Sequence, residues 1–180
     1  SYLFTQDQTP YVEKMDTMAN AVNYLKEKDN GFYRTELTYL NTRMDPCLYN
    51  YNGMSAFSSM AYESYSQTQY NLGMFGNRIN SYTYNTQTPV YNMMYNIKYL
   101  IKESSSLDLS DTFYKKIYTT KDGSKTPVYE NKYNLPIAFL ASKSIKNWDN
   151  TEGNPFEVQE DLIDKATGVS NLFVPVEYIG

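Results

Sequence analysis

Phe32-Tyr33-Arg34-Thr35-Glu36-Leu37-Thr38-Tyr39-Leu40 alternates in the manner of a half-buried strand, with Tyr33, Leu37 and Tyr39 on one face and Arg34, Glu36 and Thr38 on the other. What precedes it is helical. Thr9-Pro10 supplies a capping residue and a first-turn proline, and Tyr11, Met15, Met18, Val22 and Leu25 then recur at helical spacing until Gly31, placed to stop the run. Proline suits that position because the first amides of a helix have no partner to lose. The same pairing of helix and strand returns further on. Thr88-Pro89 opens a helix with Val90, Met93, Met94 and Ile97 inward, and Lys98-Tyr99-Leu100-Ile101-Lys102 reads as a short buried strand. Met15, Met18, Met93 and Met94 at these spacings read as core filler, not as a binding groove.

Residues 112–120 and 128–133 flank Asp122-Gly123, a hairpin signal. Residues 137–141 follow Pro136 as a further apolar strand, and residues 55–72 read as another helix. Asn154-Pro155 opens the last helix, with Glu157 at the capping-box position and Gly168 at its end. Ser104-Ser105-Ser106 reads as a loop. The expectation is an α/β fold, shading into α+β: a mixed sheet of about five strands with three to four helices packed on it, in one domain.

Composition narrows the function. The net charge of −4 and three arginines (Arg34, Arg43, Arg78) leave no basic stripe, so no nucleic-acid partner is expected. The chain contains no His, and one Cys (Cys47) can form neither an intrachain disulfide nor a cysteine-based zinc site. No glycine-rich phosphate loop, serine elbow or alternating calcium loop is present, and no cofactor is implied. No apolar run reaches the 18 or so residues a membrane span needs. Both ends, Ser1 and Val176-Glu177-Tyr178-Ile179-Gly180, read as boundaries cut from a larger protein.

Tyrosine is the outstanding bias, with 20 Tyr against 8 Phe and 1 Trp. Between Cys47 and Ile97 the only charged residues are Glu63 and Arg78, while Tyr and Asn are dense. Either the segment packs on itself, or it presents a neutral polar-aromatic surface to sugar, a partner or the rest of its own polypeptide.

Several segments resemble, in order, those of YfhO-like bacterial membrane proteins. They are Phe32-Tyr33-Arg34-Thr35-Glu36, Asp45-Pro46, Tyr51-Asn52-Gly53-Met54-Ser55-Ala56-Phe57-Ser58-Ser59 and Leu72-Gly73. Asn96-Ile97-Lys98-Tyr99-Leu100-Ile101, Val128-Tyr129-Glu130-Asn131, Leu135-Pro136-Ile137-Ala138-Phe139 and Asn154-Pro155-Phe156-Glu157-Val158-Gln159 continue the series. The first 30 residues carry no matching motif. The resemblance implies the extracytoplasmic domain of a multi-pass Gram-positive membrane protein of the GT-C glycosyltransferase type. Such a protein would move a sugar from a polyprenyl-phosphate carrier onto an envelope polymer such as lipoteichoic acid. Its implied partners are the transmembrane part of the same polypeptide and an envelope glycan or polyprenyl-linked sugar. No catalytic residue is carried over, because that architecture places its carboxylate in a loop between early spans.

The motif residues that could carry binding are Arg34, Glu36, Asp45, Asn52, Ser58, Ser59, Lys98, Glu130 and Asn131. Arg34 and Glu36, two apart on one strand face, suit an ion pair or, for Arg34, a bidentate phosphate contact. Paired acids for glycoside hydrolysis would have to come from Glu36, Asp45, Glu63 or Glu130, and no spacing singles out two of them. A non-enzymatic surface module that binds carbohydrate or protein is the alternative function. Trp148 would stack on a sugar in that case; packing is the ordinary role of a lone Trp.

Overall fold

A computed structural model describes residues 9–177 apart from 86, 104–107 and 152. The serine loop at 104–106 therefore lies outside the described residues, as does the side chain of Tyr11. In chain order the elements are α1 (Thr9–Val12), α2 (Met15–Lys28), β1 (Arg34–Leu37), α3 (Asp45–Leu48), β2 (Ala56–Phe57), α4 (Glu63–Asn71), β3 (Phe75–Gly76) and β4 (Ser81–Thr83). There follow α5 (Pro89–Met94), β5 (Ile97–Ile101), β6 (Tyr114–Thr119), β7 (Pro127–Asn131), a 3-10 turn (Lys143–Asn147) and α6 (Pro155–Thr167).

The proline-capped helices form because their caps are local. Thr88 Oγ1 accepts from the Tyr91 amide at 3.1 Å, and Asn154 Oδ1 accepts from the Phe156 amide at 3.0 Å. Gly168, at φ 78°, closes α6 in the left-handed conformation that glycine tolerates best. The first helix departs from expectation. A turn at Glu13 and Lys14 separates α1 from α2. Val12, at the end of α1, and Met15, at the start of α2, are both exposed, and the buried stripe of Met18, Ala21, Val22 and Leu25 begins only after the turn.

Four strands make a mixed sheet in the order β1-β5-β7-β6. β1 runs parallel to β5, and β7 pairs antiparallel with both β5 and β6. The β1–β5 register slips between Arg34 and Thr35, which leaves Lys98 as an extra residue on β5. That bulge explains why Ile97 and Leu100 face one side while Tyr99 and Ile101 face the other. On one side α2 packs Met18, Ala21, Val22 and Leu25 against Tyr33, Leu37, Tyr99, Ile101 and Val128. On the other, Ile97, Leu100 and Tyr114 meet Leu72, Met74, Tyr84, Tyr91 and α6 residues Val158 and Leu162. Each fully buried large apolar side chain contributes about 1.5–3 kcal/mol. Of the four expected core methionines Met18 is buried, Met94 packs half-buried against the second core and Met15 is exposed; Met54 and Met74 fill the second core.

Three further expectations change. Residues 137–141 are not a strand: Ile137 and Leu140 are exposed, and the segment pairs with neither sheet. The helix expected over 55–72 begins only at Glu63, because β2 ahead of it pairs with β4, which also holds β3. Gly76 permits that small sheet, since a Cβ there would sit 2.2 Å from the Ser81 carbonyl oxygen. The Asp122-Gly123 connection is longer than a two-residue turn. Asp122 Oδ2 accepts from Ser124 Oγ at 2.5 Å and from Thr17 Oγ1 at 2.6 Å, pinning the loop to α2. No helix among the described residues is long and apolar enough to cross a membrane.

Candidate functional site

Phe32-Tyr33-Arg34-Thr35-Glu36 lies on the outer strand of the sheet, and its free edge is covered by residues from the second motif. The Thr35 amide donates to the Asn52 carbonyl at 2.8 Å, and Asn52 Nδ2 donates to the Tyr33 carbonyl at 3.4 Å. Alternation then sends Thr35 toward α2 and Glu36 to the opposite face.

Glu36 is the buried centre of this junction, only 1% exposed. Its Oε1 accepts from the Met54 amide and from the Ser55 amide at 3.0 Å, and its Oε2 from Ser55 Oγ at 3.4 Å. Gly53 makes the approach feasible: a Cβ there would meet Pro46 Cγ at 2.6 Å, Tyr51 Cε2 at 2.8 Å and Glu36 Oε1 at 2.9 Å. Burial pushes the Glu36 carboxyl up to about 7, and the three donors hold it from rising further. Ser55 Oγ accepts in turn from the Tyr84 amide at 2.9 Å. Tyr84 OH donates to Asn92 Oδ1 at 3.1 Å, and Asn92 Nδ2 donates to Tyr114 OH at 2.8 Å. A second buried set joins Tyr91 OH to Gln69 Oε1 at 2.7 Å and Gln69 Nε2 to Tyr95 OH at 3.1 Å. Much of the Tyr/Asn-rich segment is thus self-packed, with the polar tips of Gln69, Tyr84, Tyr91 and Asn92 satisfied inside the second core. The hydroxyls of Tyr49 and Tyr51 are buried without a partner among the described residues. Phe57, Met60, Tyr62 and Phe75 remain exposed.

On the α2 side of β1 a crevice of about 290 Å³ opens between the end of α2, the turn after it, β1 and residues 50–52. Asp29, Asn30, Tyr33, Thr35, Asn50 and Tyr51 are among its walls. Asp29 anchors the rim. It accepts from Lys98 Nζ at 2.5 Å, Tyr99 OH at 2.9 Å and the Gly31 amide at 2.9 Å. The Lys98 bond, joined by those of Gly31 and Tyr99, holds its carboxyl down at about 2.

The residues expected to bind divide sharply. Arg34 and Glu36 do not pair: Arg34 donates to the Tyr95 carbonyl at 2.7 Å and lies over the Phe32 ring. Asp45 is a buried loop brace, accepting from the Asn41 and Thr42 amides at 2.9 and 2.7 Å, with burial raising its carboxyl. Glu130 meets Lys28 at 3.5 Å, and Asn131 donates to the Ile97 carbonyl at 3.3 Å. Ser58 accepts from the Met60 amide at 3.1 Å in an exposed turn, beside the exposed Ser59. Arg34, Glu36, Asn52 and Lys98 therefore come together around β1, while Asp45, Glu130, Asn131 and Ser58 support the scaffold. Trp148 donates to the Val158 carbonyl at 3.0 Å as packing. Glu36 and Asp45 are both buried, so neither serves as a cleft acid for glycoside hydrolysis. Among the described residues no group of three or more Cys, Asp or Glu side chains is placed to hold a metal ion.

Asp29, Thr35 and Tyr51 are site residues that sequence reading does not single out. Asp29-Asn30-Gly31 reads only as a helix stop, and the crevice exists only once residues 50–52 fold back onto β1.

The motif segments at 72–73 and 154–159 are scaffold as well. Gln159 Nε2 donates to the Leu72 carbonyl at 2.8 Å and bonds Thr88 Oγ1, so the last motif is tied to Leu72-Gly73 and to the cap of α5. No curated protein and no solved structure matches the chain. The family model described as bacterial membrane protein YfhO matches residues 3–178, which brings in the first 30 residues where no motif is legible. The chain belongs to the YfhO family of bacterial membrane proteins.

Proposed function

We propose that this chain is the extracytoplasmic domain of a membrane glycosyltransferase that uses a polyprenyl-phosphate sugar to glycosylate an envelope polymer such as lipoteichoic acid. Its own part is accessory: it recognises the acceptor or roofs an active site built by the transmembrane part of the same polypeptide. The observation that carries the accessory role is the junction at β1. There the motifs at 32–36, 51–55 and 96–101 meet beside a polar crevice, while the buried acids Glu36 and Asp45 are held by amide donors. Family membership supports attachment to a membrane protein.

Radiolabelled sugar transfer onto lipoteichoic acid, assayed with the full-length protein in membranes and with residues 1–180 alone, tests both parts. Transfer by the full-length protein only is the expected result. Transfer by the isolated chain would remove the accessory assignment. An inert full-length protein supplied with polyprenyl-phosphate sugar would remove the transferase.

A non-enzymatic surface module is the second reading, favoured by the exposed Phe57, Met60, Tyr62 and Phe75. It predicts saturable perturbation of these residues by an envelope glycan or protein, with no transfer by the full-length protein.

A further inference from the structure

The crevice beside β1 has walls whose chemistry is selective. We propose that it is a binding site for one neutral polyhydroxylated unit, the size of a single sugar ring. The inference gives the accessory role proposed above a location.

Size sets the first limit. At about 290 Å³ the space equals roughly ten waters' share of liquid volume. That is the lower end of the ligand-pocket range, too small for a folded segment and sufficient for one ring.

The walls set the second. Asn30, Asn50 and Asn52 each carry an amide that both donates and accepts, and Tyr33, Thr35 and Tyr51 add hydroxyls that do the same. Such bifunctional groups match a ligand whose own hydroxyls are both donor and acceptor. An anion would call for several cations, and Lys26 is the only basic residue on the walls. A cation would call for a free carboxylate, and Asp29 is already engaged by Lys98, Tyr99 and the Gly31 amide.

The third observation is an unmet demand for hydrogen bonds. Thr35 is 1% exposed and Tyr51 9% exposed, yet neither hydroxyl has a partner among the described residues. Buried polar atoms without a partner also occur on Tyr49, Ser66, Asn96, Asp122 and Asn150; what sets Thr35 and Tyr51 apart is that both residues wall one small polar crevice, where a ligand hydroxyl would meet that demand.

The test is an amide-resolved NMR titration of the 180-residue chain with methyl α-glucopyranoside, N-acetylglucosamine, glycerol and inorganic phosphate. Saturable shifts confined to residues 30–35 and 50–52, with at least one sugar at a Kd on the order of mM, are expected. Thr35→Val keeps the shape of the side chain and removes an unpartnered hydroxyl, so the fold is kept and the sugar Kd rises about tenfold, one good hydrogen bond's worth. Asn50→Gly, at a residue with φ 58°, gives a second variant compatible with the backbone and weakens the same sugar. No saturable shift with any sugar, shifts from phosphate alone, or parent-like binding by both variants would overturn the proposal. Sugar binding by the chain within a full-length protein that transfers nothing removes the transferase and leaves the crevice. Transfer by a full-length protein whose crevice binds no sugar does the reverse.

Discussion

Glu36→Gln is the substitution whose outcome follows most directly from the geometry. In the unfolded chain this carboxyl titrates near its ordinary 4.5; in the fold, burial raises it to about 7. The native state thus keeps a proton that the unfolded chain gives up above roughly pH 4.5. The stability this adds is full below that pH, declines as pH rises, and is gone above the folded value near 7. The difference of about 2.5 pH units corresponds to about 3 kcal/mol at 1.36 kcal/mol each. For a chain of this length that is on the order of 6–12 °C in Tm. Gln removes the titration. Its carbonyl still accepts from the Ser55 amide, and its NH2 falls where Oε2 meets Ser55 Oγ, which can turn to accept. Urea unfolding of parent and variant at pH 5, 6, 7 and 8, followed by circular dichroism and Trp148 fluorescence, gives the comparison. The variant should be no more stable than the parent at pH 5, and should gain on it by up to about 3 kcal/mol by pH 8. Asp45, also raised, titrates in both proteins, so it enters the difference only through its charge interaction with Glu36. Parallel stability profiles for the two proteins across this range would refute the buried, protonated reading of Glu36.

Gly53→Ala forces a methyl against Pro46, Tyr51 and Glu36, and should cost about 1–3 kcal/mol in a urea melt while Gly123→Ala, in open space, costs little. Asp29→Asn should lower stability at neutral pH; because the parent carboxyl is held at about 2, the deficit shrinks as pH falls toward that value, as an acid titration by circular dichroism would show. Leu25→Ala, at the buried end of the α2 stripe, should cost about 2–5 kcal/mol by thermal or urea unfolding.

How much of this could be read from the residues depends on how local each cause is. The caps at Thr88 and Asn154 act within one turn, so both helices stand where the sequence puts them. The strands at 34–37 and 97–101 and the hairpin around Asp122 carry enough alternation or turn chemistry to be found. β2, β3 and β4 are two or three residues each, too short for any period to register. Residues 137–141 look like a strand because apolar content is legible, whereas the exposure of Ile137, Phe139 and Leu140 outside both sheets is set by tertiary packing. Glu36 sits on the face that alternation marks as polar. Its burial comes from residues 54, 55 and 84, which only the folded chain brings over it. The crevice joins the turn after α2 to residues some 20 positions later, so no single segment announces it.

The parallel pairing of β1 with β5 has a consequence for biogenesis. About 60 residues separate the two strands, whereas β6 and β7 are joined by a short loop. Closing the larger loop carries the greater entropic cost, so the β6–β7 hairpin is the natural early structure and β1 docks later. Synthesis at about 5–20 residues per second keeps β1 waiting on the order of 3–12 s for its neighbour to emerge. During that interval the hydrogen-bonding edge of Arg34–Leu37 is open on both sides, and the nearby residues 50–55 are the first covering it can recruit. A chain that emerges in order, N-terminus first, meets its greatest aggregation risk there, before β5 arrives.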